Sequence, residues 1–95
     1  MKLAIYTIHD VKAQNYGKPF YAFNDDVARR SFEQEVNNPE STLNRAPEDY
    51  TLFCIGSFDD STGLIDEQVP HSLGSALEYY QQPKPVQMPE YDGVN

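Results

Sequence analysis

The sequence predicts an α+β fold: a small, mainly antiparallel sheet of three to five strands packed on one main helix, with an extended C-terminal tail. Two segments, residues 3–8 and 50–58, are apolar on both faces of an extended chain, as in strands that are covered on both sides. Only residues 24–36 have a clear amphipathic helical stripe. The chain has 95 residues, which is the size of one small domain.

A polar turn separates the first strand from a short aromatic strand. Positions 3–8 alternate between two mostly apolar faces, and residues 15–17 are typical of a turn. Pro19 then leads into the aromatic segment 20–23, and proline is tolerated at the start of a strand. We therefore expect two strands before the helix.

The main helix is bounded by residues that favour helix ends. Asn24 is a typical N-cap, and two aspartates follow it in the first turn, where the helix dipole favours negative charge. The Asn38-Pro39 pair is expected to end the helix, because the residue before proline avoids the helical region. The apolar stripe consists of Val27, Ala28, Phe32 and Val36.

After the helix, residues 39–49 are predicted to form a polar loop, and a second strong strand follows over residues 50–58. Residues 59–63 fit a hairpin loop of three to five residues with glycine in the left-handed conformation. A return strand begins at Leu64, and residues 72–82 favour a weak second helix. In the second strong strand we expect Phe53 and Ile55 on one face, and Leu52, Cys54 and Phe58 on the other.

We predict a single α+β domain over residues 1–82 and a flexible, Pro-containing acidic tail over residues 83–95. Two strands that are apolar on both faces need more cover than one main helix supplies. The weak second helix is one source of that cover. A partner subunit is another, since small domains with spare apolar sheet surface often associate. We therefore expect a homodimer or a higher homo-oligomer.

The formal net charge of −8 lies entirely in the second half of the chain. Residues 1–45 contain six basic and six acidic side chains, whereas residues 46–95 contain Lys84 alone against nine acids. This distribution excludes a strong basic groove for nucleic acid. No apolar run approaches the roughly 18 residues of a membrane span, and no signal-peptide pattern is visible. We expect a cytoplasmic protein without membrane association.

No set of residues has the spacing of a catalytic or metal site. His9 and Asp10 are adjacent on a strand, so their side chains point to opposite faces. Cys54 lies in mid-strand, where an inert buried thiol is favoured over a nucleophile. The Asp59-Asp60 pair does not match a calcium-binding loop, so a turn is favoured. We predict a protein that is not an enzyme and that uses no metal ion or cofactor.

Four aromatic residues between positions 16 and 23 lie beside Lys12 and Lys18. Aromatic rings fill the core of many small domains, and they also stack on the bases of single-stranded nucleic acid while lysines hold its phosphates. Both interpretations remain open. Arg29 and Arg30 each follow an aspartate by one turn, which partly neutralises them. The candidate nucleic-acid-binding residues are Tyr16 and Tyr21 for stacking, and Lys12, Lys18, Arg29, Arg30 and Arg45 for phosphates.

Short blocks distributed along the chain resemble those of a known family. They occupy residues 12–20, 24–29, 36–39, 47–50 and 56–63, and include Asn-Pro, Pro-Glu-Asp-Tyr and Phe-Asp-Asp-Ser-Thr-Gly in this order. Together they resemble the small nonstructural protein of gokushoviruses. These are microviruses, icosahedral phages with small circular single-stranded DNA genomes.

The resemblance covers about residues 3–70. It implies a non-virion protein made in the host cytoplasm during infection, and an accessory role in replication or packaging of viral single-stranded DNA. The partners it implies are single-stranded DNA and viral or host replication proteins, and it carries over no catalytic residues. The acidic second half supports an alternative. In that alternative the protein is an acidic interaction factor that binds a host or viral basic surface without contacting DNA.

Overall fold

The computed structural model describes residues 1–81. The predicted tail over residues 83–95 and the predicted boundary at residue 82 lie outside this part of the chain. No helix within residues 1–81 is long and apolar enough to cross a membrane. In chain order the elements are β1 (Lys2–Asp10), β2 (Asn15–Tyr16), β3 (Phe20–Ala22), α1 (Asp25–Val36), α2 (Thr42–Arg45), a 3-10 turn (Pro47–Asp49), β4 (Tyr50–Asp59), β5 (Leu64–Ser75) and α3 (Ala76–Tyr79).

The strands form one antiparallel sheet with β1 and β4 at its centre. β4 pairs along the whole length of β1, and β5 pairs with the other edge of β4. β2 and β3 both pair with β1, on the edge away from β4. This arrangement, with α1 packed on the sheet, confirms the predicted α+β class and its mainly antiparallel sheet.

The core lies between one face of the sheet and α1. Tyr6 and Leu52, on the two central strands, are fully buried in one cluster with Phe32 of α1. Burying each of these side chains contributes about 1.5–3 kcal/mol. The helix begins where the sequence predicts, because the Asn24 side chain accepts a hydrogen bond from the backbone N–H of Val27 at 2.9 Å.

Residues 39–49 contain α2 and the 3-10 turn, so the prediction of an irregular loop was wrong for most of this segment. The Ser41 hydroxyl caps α2 by accepting a hydrogen bond from the backbone N–H of Leu43 at 3.1 Å, and Leu43 is buried in the core. Pro47 begins the 3-10 turn, where its fixed φ suits the first helical position. Elements this short show no apolar period in a sequence.

The second helix, predicted over residues 72–82, is only four residues long in the structure. Gly74 has φ of 122°, which no right-handed helix permits, and β5 therefore continues to Ser75. Ser75 then caps α3. Its hydroxyl accepts from the backbone N–H of Leu77, while its own N–H donates to the Glu78 carboxylate, both at 3.1 Å. The helical pattern therefore holds only for the last turn.

The β4–β5 connection has the predicted form. Gly63 has φ of 75°, and its N–H donates to the carbonyl of Asp59 at 2.7 Å. The Asp59 carboxylate accepts from the Ser61 hydroxyl at 2.6 Å and from its backbone N–H at 2.9 Å. These hydrogen bonds hold the pKa of Asp59 below its usual range. The Asp59-Asp60 pair thus forms the turn that its sequence favours.

A β-bulge in β4 reverses the alternation of its last residues. Ile55 has no opposite residue on β1, because the pairing shifts between Cys54 and Gly56. One extra residue moves every later side chain to the other face of the strand. Phe58 therefore shares a face with Phe53, and its predicted placement on the opposite face was wrong for this reason.

Candidate nucleic-acid interface

The sheet face opposite α1 carries aromatic rings and, within residues 1–81, no helix packs on it. The buried residues of α1, α2 and α3 all belong to one cluster that includes Tyr6, and this cluster lies on the face of the sheet that α1 covers. Alternation and pairing register identify the residues that project away from that cluster. We call this surface the open face and define it by His9, Tyr16, Tyr21, Phe53 and Phe58.

The rings of the open face form two clusters. In the first, the ring centroids of His9 and Tyr16 are 4.6 Å apart, and Phe53 stands edge-on to Tyr16 at 5.7 Å. In the second, Tyr21 contacts Phe58 edge-on at 5.9 Å. Tyr16 is 50% exposed and Tyr21 53% exposed. Edge-on packing is favourable and leaves part of each ring face accessible, so both tyrosines are supported platforms in contact with solvent.

The turn between β1 and β2 sets the position of the first platform. The Asp10 carboxylate accepts a hydrogen bond from the backbone N–H of Lys12 at 3.0 Å and one from the following residue. Gln14 adopts φ of 57°, a left-handed conformation that lets the chain reverse. The chain then returns along β1, which places Tyr16 on the open face.

The connection between β2 and β3 sets the position of the second platform. The Thr7 hydroxyl donates to the carbonyl of Gly17 at 2.7 Å, and the Gly17 N–H donates to the carbonyl of Ile8 at 2.8 Å. Lys18 follows in an exposed position. β3 then pairs with β1 and places Tyr21 on the open face.

Lys12 and Lys18 are the predicted phosphate ligands on the connections before and after β2, and both are exposed. The Lys12 Nζ is 3.4 Å from Oδ2 of Asp49, whose side chain is only 12% exposed. This ion pair neutralises part of the charge of Lys12. Within residues 1–81 no ion pair involves Lys18, so its charge is the more available of the two.

The predicted arginines lie elsewhere. Arg29 and Arg30 are on α1 and Arg45 ends α2, and both helices cover the other side of the sheet. The Arg29 guanidinium is 3.5 Å from the Asp26 carboxylate, an exposed contact worth little energy. The structure therefore places the two lysines on the connections that flank β2, next in the chain to the strands of the two tyrosines, and the three arginines on helices of the other side.

Three rings of the open face, those of His9, Phe53 and Phe58, were not among the predicted site residues. His9 and Phe53 lie on strands whose alternation is readable from the sequence, and His9 pairs directly with Tyr16. That alternation was the available signal for both. Phe58 lies after the bulge, so simple alternation assigns it to the wrong face.

Other polar groups in the described part of the chain form no evident reactive centre. No three His, Cys, Asp or Glu side chains within residues 1–81 are placed to hold a metal ion. The Cys54 thiol is half-buried, with its Sγ 3.9 Å from the carbonyl of Gly56. That the protein is not an enzyme and uses no cofactor stays a prediction.

Comparison with known protein families gave a match to a family of phage proteins. A family model described as Phage ORF5 protein matches residues 3–79, which span β1 to α3. The chain belongs to the Phage ORF5 protein family. Neither the curated proteins nor the solved structures gave a match. Membership in the Phage ORF5 family confirms the broader part of the resemblance, that this is a bacteriophage protein.

Proposed function

We propose that this Phage ORF5 family member is a non-enzymatic accessory protein of gokushovirus-type microviruses that binds viral single-stranded DNA during its replication or packaging. The observation that carries the proposal is the exposure of Tyr16 and Tyr21 on a sheet face that no described helix covers. The protein acts in the host cytoplasm, outside the virion, with viral or host replication proteins as further partners.

Exposed rings on a sheet are suitable platforms for unpaired bases. Stacking of one base on an aromatic side chain is worth about 1–3 kcal/mol and tolerates any base. Tyr16 pairs with His9, and Tyr21 pairs with Ile5, four residues earlier on β1. Strands rise about 3.3 Å per residue, so the two platforms are about 13 Å apart along β1. They would hold two bases of one extended strand.

The local charge supports the same surface. Residues 11–24 contain Lys12 and Lys18 and no acidic side chain, although the whole chain is strongly acidic. Phosphates are therefore least repelled beside the two tyrosines. Duplex DNA hides its base faces, so the open face should prefer single strands.

Fluorescence anisotropy with a labelled oligothymidylate at low salt tests this function. The wild-type protein should bind, and Tyr16→Ala and Tyr21→Ala should each raise Kd by about fivefold or more, because each removes one stacked base. Leu77→Ala is the matched control, since it removes a comparably exposed apolar side chain from α3, on the other side of the sheet. Its Kd should equal that of the wild type.

Two results would contradict the proposal. The wild-type protein could show no binding to single strands even at low salt. Alternatively, both tyrosine variants could fold normally by circular dichroism and bind as tightly as the wild type. A duplex that binds more tightly than the single strand would also oppose stacking as the mode of binding.

The second candidate function is that of an acidic interaction factor that binds a host or viral basic surface without contacting DNA. Residues 46–81 favour it, because they contain seven acidic side chains and no lysine or arginine. If this second function is correct, the wild-type protein should bind a lysine-rich protein at low salt and should not bind single-stranded DNA. Substitutions at Tyr16 and Tyr21 would then leave that binding unchanged.

A further inference from the structure

The two edges of the sheet carry opposite charge. β5 forms one edge, and β2 and β3 form the other. β5 contains Asp66 and Glu67 and no lysine or arginine, whereas residues 11–24, which include β2 and β3, contain Lys12 and Lys18 and no acid. The backbone N–H and C=O groups of an edge strand can pair with a strand of another chain. Opposite charges on the two edges would favour such pairing between them.

β5 has the properties of an edge that can accept a further strand. It is twelve residues long, and its first nine residues are exposed. Residues 64–67 pair regularly with β4, whereas residues 68–70, which include Pro70, have no partner on β4. Residues 64–67 are therefore the part of this edge that can accept a strand. The exposed residues include Ile65, 60% exposed, and Val69, 86% exposed. A regular edge segment with exposed apolar side chains is a site of association unless something opposes it.

We infer that copies of this chain associate edge to edge, with β5 of one copy adding to the β2–β3 edge of the next. β1 and β5 run in the same direction, since both are antiparallel to β4. β2 and β3 run in the opposite direction, since they are antiparallel to β1. A second copy set beside the first, with the same face up, therefore presents β3 antiparallel to β5, which is a favourable ladder geometry.

The pairing register aligns the acidic part of β5 with β3. Tyr21 lies opposite Ile5, Ile5 opposite Gly56, and Gly56 opposite Glu67, so all four share one row across the sheet. A copy displaced straight across the sheet brings Glu67 beside Tyr21 of its neighbour. In this register Lys18 falls beside Pro70, three positions from Glu67, so the opposite charges attract each other over about 10 Å along the edge and not as a direct pair.

The same alignment joins two exposed apolar side chains. Two residues along the antiparallel ladder from the Glu67–Tyr21 position, Ile65 of one copy falls beside Phe23 of the next. Phe23 directly follows β3 and is 62% exposed, and Ile65 is 60% exposed. Their contact would remove apolar surface of both copies from water, which favours association.

The charges select this contact over the symmetric ones. Pairing of two β5 edges would oppose acid to acid, and pairing of two β2–β3 edges would oppose lysine to lysine, whereas the mixed pairing is attractive. A contact between different edges is heterologous and builds rings or open chains. The rings of the open face project out of the sheet plane, so assembly repeats them from copy to copy, with Glu67 of one copy beside Tyr21 of the next.

Sedimentation velocity without DNA tests the assembly. The wild-type sedimentation coefficient should rise with protein concentration at about 50 mM salt and fall to the monomer value at about 500 mM, because salt screens exposed charges. Asp66→Lys with Glu67→Lys makes both edges basic, and Lys12→Glu with Lys18→Glu makes both edges acidic. Each variant alone should remain monomeric, and an equimolar mixture of the two should assemble like the wild type.

Glu35→Lys with Glu40→Lys is the matched control. It changes the net charge as much as the β5 variant does, at exposed positions away from both edges, and it should assemble normally. Ile65→Thr keeps every charge and should weaken assembly several-fold, which tests the contact without charge reversal. Wild-type protein that stays monomeric at every concentration overturns the inference. So does a mixture that fails to assemble, or a control that is as defective as the β5 variant. These outcomes do not depend on DNA binding.

Discussion

Tyr6 joins the central strand of the sheet to the start of α1. It is fully buried, and its hydroxyl donates to Oδ1 of Asp25 at 2.7 Å. Burial raises the pKa of Tyr6, and the hydrogen bond to Asp25 raises it further. Asp25 lies in the first helical turn, where the helix dipole also favours its charge. One side chain thus holds the beginning of α1 against β1.

Replacing Tyr6 by phenylalanine should lower the free energy of unfolding by about 1–3 kcal/mol at neutral pH, because a hydrogen bond to a charged group is lost. The raised pKa also sets a pH dependence. As pH rises above about 10, the unfolded chain loses the phenolic proton before the folded chain does, so wild-type stability falls. The difference between the two proteins should therefore shrink in that range. Urea unfolding from neutral pH to about pH 11 measures both effects.

Tyr16→Phe is the control for this measurement, because it removes a hydroxyl at a half-exposed position. It should change stability little at any pH. A Tyr6→Phe variant as stable as the wild type at neutral pH would mean that the Asp25 contact contributes nothing. A constant difference across the whole pH range would mean that the raised pKa does not contribute to stability.

The open face shows what can be predicted about single residues from sequence. Tyr16 and Tyr21 stand out because they lie close to two lysines in the chain, although residues 15–17 were predicted to form a turn and Tyr16 instead lies on β2. The rings that support them, Phe53 and Phe58, come from a distant strand and reach them only through the pairing of β4 with β1. A residue's neighbours across a sheet depend on register, and a sequence does not state the register directly.

At the scale of elements, β4 shows how one residue changes the surface that a strand presents. The register of β4 shifts beside Gly56 both in its pairing with β1 and in its pairing with β5. A Cβ at Gly56 would clash with the backbone carbonyl oxygen of Asp66 on β5. Glycine is therefore required where β4 and β5 approach closely. A glycine inside a strand pattern is a signal for a bulge, and this signal was the available indication that Phe58 changes face.

Gly56→Ala should lower the free energy of unfolding by about 1–3 kcal/mol, because the added methyl group forces the backbones of β4 and β5 apart. Gly63→Asn is the matched control in the adjoining turn, where φ is 75° and a Cβ meets no neighbouring atom within 4 Å. Asparagine tolerates the left-handed conformation, so this variant should be close to wild type. Thermal unfolding distinguishes them, and a Gly56→Ala protein as stable as Gly63→Asn would show that the approach is not tight.

The helices differ in how much of them the sequence predicts. α1 has a cap, an apolar period and a proline stop, so its bounds follow from local signals. α3 depends on long-range contacts: the Asn37 amide donates to the carbonyl of Tyr79 at 3.0 Å, and its oxygen accepts from the N–H of Gln81 at 2.8 Å. These bonds join the end of α1 to a turn about forty residues later. Local sequence patterns do not contain such partners.

At the scale of the whole molecule, the fold turns a division of charge along the chain into a division across the sheet. The near-neutral first half supplies β1, β2 and β3, and the acidic second half supplies β4 and β5. The sequence also predicts more apolar strand surface than one helix covers. In the described residues every helix lies on one side, whereas on the open face Ile5 and Thr7 of β1 are buried without a helix and the partly exposed rings lie beside them. The side of the sheet on which the helices pack is determined by tertiary packing, and the amino-acid composition does not predict it.

Salt should separate the contribution of charge on the open face from that of stacking. Each phosphate neutralised on a single strand contributes a slope of about −0.7 to the logarithm of affinity against the logarithm of salt concentration. Lys18→Ala should therefore flatten the slope by about 0.7, whereas Tyr21→Ala should weaken binding and leave the slope unchanged. Arg30→Ala, on the helix side of the sheet, should change neither. Anisotropy titrations over a salt series measure all three. If Arg30→Ala flattens the slope and Lys18→Ala does not, DNA follows α1, and the rings of the open face have another role.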